Sequence, residues 1–102
     1  MQGSPKELAL PPEAIGRADA NEVLRAFVVD NRLAVAFLRA FEEPDMWGMV
    51  LVDIARHAAR AFAQEGVCSE QEALARIVEM FEAELARPTD TGTTSAKSRQ
   101  AN

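Results

Sequence analysis

The stretch EVLRAFVVDNRLAVAFLRAF, residues 22–41, decides the fold. It is rich in Val and Phe and carries Asp30-Asn31 near its middle, two residues that tolerate the left-handed backbone of a tight hairpin turn. With Asp30-Asn31 as a two-residue turn, Val29 faces Arg32, Val28 faces Leu33, Ala26 faces Val35, Leu24 faces Phe37 and Glu22 faces Arg39. One face is then wholly apolar and ends in an opposite-charge pair. The other face holds Val23, Phe27, Val29, Ala34, Ala36 and Leu38, interrupted by Arg25 and Arg32. A helix would also gather Leu24, Phe27 and Val28 into a stripe, so periodicity alone leaves two options, and the turn chemistry favours the hairpin.

Working outward, Pro44 suits a first helical turn, and Glu42, Glu43 and Asp45 put negative charge at the positive end of the helix dipole. Trp47, Val50, Leu51, Ile54, Ala58, Ala61 and Phe62 then recur at three- and four-residue spacing as one stripe. Gly66 is a natural terminator. Ser69 and Glu72 form a capping box that opens a second helix, with Leu74, Ile77, Val78, Phe81 and Leu85 as its stripe. Arg87-Pro88 ends it. These elements predict an α+β domain over residues 20–87: an antiparallel β-hairpin packed against two antiparallel helices, with a sheet that dimerisation can extend.

The flanks read differently. Pro5, Pro11 and Pro12 make residues 1–19 an extended N-terminal leader. The end, PTDTGTTSAKSRQAN, has almost no large side chain to offset ordering entropy, which predicts a disordered C-terminal tail over residues 88–102.

Composition narrows the function classes. Forty-eight per cent hydrophobic and 26% charged residues in a 102-residue chain fit one globular domain. The net charge of −5, with scattered basic residues, argues against a nucleic-acid partner. No apolar run reaches the roughly 20 residues a membrane helix needs, and the first residues do not read as a secretory signal, so no membrane partner and a cytoplasmic location are expected. One cysteine, Cys68, and one histidine, His57, give no metal-site spacing. No metal and no cofactor are expected.

Five residues are the candidates for ligand binding. Asp53 and His57 lie one turn apart on a flank of the first helix, where Asp53 could orient the imidazole; helix pairs at this spacing are common and weak, and a hydrolytic triad also needs a nucleophile that neither Ser69 nor Cys68 is placed to supply. Trp47 begins the core stripe and is expected to anchor the helix against the hairpin, though a ring at a helix N-terminus can also flank an anion. Arg25 and Arg32, beside Phe27 on the second sheet face, could grip a phosphate.

Two features do not close within one subunit: the apolar residues Phe27, Val29 and Leu38 on the second sheet face, and Met49, Val52, Ala59 and Ala63 nearly opposite the helix stripe. Surplus apolar surface of this kind marks an interface, and a lone hairpin is marginally stable, so a homodimer is expected.

PPEA, EVLRAFVVDNRLAVAF, EEPDMWGMVLVDIARHAARAF and EGVCSEQEALARIVEMFEAELARPTD together resemble the small bacterial family catalogued as domain of unknown function 5076, over roughly residues 7–90. The resemblance implies a compact bacterial domain and no particular chemistry. The sequence therefore points to a noncatalytic homodimeric interaction or regulatory protein, whose partner is a protein or a small molecule. The alternative is a small-ligand or anion-binding module with a cleft near Trp47 and His57.

Overall fold

The computed structural model describes residues 3–89 and the backbone of 93–96. Asp30 and Asn31 are both left-handed, with φ of 53° and 63°. Two consecutive residues of that kind give a turn whose twist matches the flanking strands. Around it, β1 (Leu24–Val29) and β2 (Arg32–Phe37) pair antiparallel, in the register read from the sequence between Val29–Arg32 and Leu24–Phe37. The outermost expected pair, Glu22 with Arg39, does not form. The Leu38 amide still bonds the Val23 carbonyl at 3.0 Å, but Ala40, at φ 68°, turns the chain away, and Glu22 takes the Nε of Arg25 at 2.7 Å instead.

Helix α1 (Asp45–Gln64) starts just after Pro44, as expected, without a side-chain cap. It ends at Gly66, φ 74°, where the Val67 amide reaches back to Phe62 and the Gly66 amide to Ala63, at 3.0 and 3.1 Å. This double bond satisfies carbonyls the helix would otherwise leave unpaired, in a left-handed conformation suited to glycine. Helix α2 (Glu70–Ala86) opens on Ser69, whose hydroxyl accepts the Glu72 amide at 3.0 Å.

The two helices meet through small side chains. Ala59 is 0% exposed and Ala73 5%, and these are the buried hydrophobic residues among those described. The sequence places Ala59 with the surplus residues of α1, away from its main stripe. The structure reverses this: the short connection after α1 brings the helices together at alanines, while Leu51, Ile54 and Phe62 of the stripe stay exposed.

A third strand, β3 (Thr93–Ala96), pairs parallel with the outer edge of β2, giving the order β1-β2-β3. The expected disordered tail, residues 88–102, lies mostly outside the described residues, but within it Thr93–Ala96 is paired. The segment needs no large apolar side chain, because what it supplies is backbone donors and acceptors for an open strand edge. Thr89 is tied as well, its amide and hydroxyl both bonding Glu84 Oε1 at 3.0 and 2.9 Å. Residues 90–92 and 97–102 lie outside the described residues. In the leader, a single 3-10 turn at Pro12–Ala14 interrupts the extended chain.

The fold is thus the expected α+β combination of a hairpin and a helical pair. Within one chain, however, the described sheet and the two helices share no packed interface. They are joined at Trp47, whose ring stands edge-on to Phe37 at 6.0 Å and to Phe41 at 5.9 Å.

Candidate interaction surface

Hydrophobic residues that fail to pack inside a chain are available to something outside it, and that is the condition of most large apolar side chains here. On the uncharged sheet face, formed by Leu24, Ala26, Val28, Leu33, Val35 and Phe37, Val28 is 75% exposed and Leu33 59%. A second apolar region is a groove of about 590 Å³ on the helical pair. Phe62 and Val67 enter it from the turn that closes α1, and Ile77, Met80 and Phe81 from α2. Arg76 and Glu84 frame it, and each is held within its own helix region, Arg76 by Glu72 at 3.7 Å and Glu84 by Thr89. The sequence stripe of α2 anticipates Ile77 and Phe81. It misses Met80, which lies one turn from Ile77 on a neighbouring face, and only a search for a second, adjacent stripe would have found it.

The interface candidates are all at or near the surface. Val29, Leu38, Met49 and Val52 are exposed, and Phe27 is half-buried beneath the Arg25 guanidinium, 5.8 Å from its ring centre.

The ligand candidates are dispersed. Trp47 does anchor the helix start, and its indole N–H is spent on the Arg39 carbonyl at 2.7 Å. His57 does not pair with Asp53. Its Nδ1 lies 3.2 Å from Arg60 Nη1, a guanidinium nitrogen that can only donate. The same Arg60 reaches Glu70 at 3.7 Å, linking the two helices, so the longer arginine outcompetes Asp53 for the imidazole. Arg25 is held by two carboxylates, Glu22 at 2.7 Å and Glu7 at 3.0 Å. The hydrogen bond and charge of Glu22, then those of Glu7, raise its pKa, so it stays a cation whose charge is already matched. Glu7 also brings the leader along β1, where residues 6–11 line a groove with the strand. Among the described residues, four grooves are lined without Trp47, Asp53, His57 or Arg32.

Among the described residues no group of His, Cys, Asp and Glu could hold a metal ion, and no helix is long and apolar enough to cross a membrane.

Comparison with known proteins places this geometry. The family model described as domain of unknown function (DUF5076) matches residues 7–89. The chain belongs to the DUF5076 family. A solved structure, carrying the provisional name of a pyruvate dehydrogenase and coming from the photosynthetic bacterium Rhodopseudomonas palustrus CGA009, is 64% identical. The match covers 92% of this chain and 97% of that one, with a TM-score of 0.73, so the two share a fold over nearly their whole lengths. None of the curated proteins matches the chain.

Proposed function

We propose that this DUF5076 protein is a noncatalytic homodimer of the bacterial cytoplasm that acts through protein–protein interaction or regulation. One observation carries the reading: a single chain builds almost no core. Its accessible surface is 8950 Å², where a compact monomer of 11.1 kDa exposes about 5,700 Å². Even if every residue outside 3–89 is assigned the area of extended chain, roughly 160 Å² each, the remainder exceeds by about 1,500 Å² the roughly 5,000 Å² expected of a compact chain made of residues 3–89 alone. A standard interface covers about 800 Å² per partner, so a second copy can absorb the excess.

Cys68 is a free thiol with no second cysteine in the sequence, in keeping with a reducing compartment. The alternative, a small-ligand or anion site near Trp47 and His57, draws less support, because Trp47, His57 and Arg25 are each engaged by neighbours in the chain.

Native mass spectrometry on untagged protein purified gently from cells tests both. A bare dimer is the expected species. A monomer would overturn the proposal, and a reproducible added mass would favour the ligand-binding alternative.

A further inference from the structure

We propose that the two copies exchange their halves: the uncharged sheet face of each chain is covered by the α1 stripe of the other. This rests on the homodimer reading and specifies which surfaces meet.

Trp47 and Phe37 mark the point where the two surfaces touch within one chain. Phe37 belongs to the uncharged sheet face and Trp47 begins the α1 stripe, and beyond that contact the surfaces share no packing. Val28 and Leu33 remain open on one side, and Leu51, Ile54 and Phe62 on the other. These are the surfaces that the alternating pattern of the hairpin and the 3.6-residue pattern of α1 assign to a single core. When a core specified by one sequence is not closed within the chain, the matching surfaces of an identical chain close it, and a two-fold axis makes both contacts at once.

Two further observations favour this face over the other. The opposite sheet face carries Arg25, which is tied to Glu7 of the leader at 3.0 Å, so it is partly engaged within the chain. The connection from β2 to α1 is also short and fixed. Ala40 is left-handed at φ 68°, the Phe41 amide turns back to the Arg39 carbonyl at 2.7 Å, and that same carbonyl accepts the Trp47 indole. Folding α1 down onto its own sheet would break this turn, and short strained hinges favour exchange between copies. The excess of about 1,500 Å² per chain suits an exchanged dimer, whose partners bury more than the roughly 800 Å² of a standard interface.

The test is isotope-filtered NMR on dimers assembled from one carbon-13-labelled and one unlabelled chain, preceded by a mass measurement on the same sample. Cross-peaks between chains that join the Val28 and Leu33 methyls to Leu51, Ile54 and Phe62 are the expected result. A dimer whose inter-chain cross-peaks run helix to helix or sheet to sheet, with sheet–helix contacts only within a chain, overturns the exchange and leaves the homodimer standing. A monomeric mass overturns both.

Discussion

The indole N–H of Trp47 donates to the carbonyl oxygen of Arg39 at 2.7 Å, and this one bond, with the edge-on rings of Phe37 and Phe41, is what joins the sheet to the helices within a chain. Trp47→Phe keeps a ring but loses the donor, and is expected to cost about 1 kcal/mol. Trp47→Ala also loses the aromatic contacts, for about 3 kcal/mol. Chemical denaturation at one fixed protein concentration measures both; equal losses for the two variants would mean that the bond, rather than the ring, does all the joining.

Ala40 holds a left-handed backbone that strains a residue with a Cβ. Ala40→Gly is expected to stabilise the protein by about 1 kcal/mol, seen as a higher denaturation midpoint. A lower midpoint would show that the turn is not strained in solution.

The helix ends give a paired prediction. Ser69→Ala removes the acceptor of the Glu72 amide and should cost about 1 kcal/mol. Gly66→Ala meets no atom within 4 Å but must still adopt φ 74°, and should cost about 1 kcal/mol through the backbone alone. Thermal melts of both variants and the double mutant check this, with additive losses excluded only if the two caps act as one unit.

Asp19 lies under the Arg17 guanidinium, whose hydrogen bond lowers the carboxyl pKa below its ordinary 3.8. A lowered folded-state pKa gives stability that is present above the unfolded value and lost as pH falls through the folded one. The pair therefore contributes at neutral pH and loses that contribution only in acid, and because both groups are fully exposed, salt weakens it. Melting curves of the wild type and Arg17→Ala, taken from neutral pH downward at low salt, should converge once Asp19 is protonated. A gap that widens in acid would contradict this assignment.

The hairpin register was legible because side chains alternate with period two and Asp30-Asn31 allows only one turn centre. Helix ends were legible for the same local reason: Gly66 and Ser69 act on amides a few residues away. What sequence pattern left open was which apolar surface meets which. Leu51, Ile54 and Phe62 form a core stripe by periodicity, yet the chain closes its helices on Ala59 and Ala73, because a short connection favours small side chains at the crossing. The Asp53–His57 spacing was right for a helix pair, but spacing cannot rank competitors, and Arg60 on the next turn reaches the imidazole first. The strand at Thr93–Ala96 left no apolar signal, since backbone pairing needs none.

Sedimentation equilibrium of the full chain, from micromolar loading downward, tests the central claim most directly. A chain that leaves its core open should sediment at twice 11.1 kDa and dissociate only on dilution, losing folded structure as it does so. A folded species of 11.1 kDa at every concentration would contradict the account.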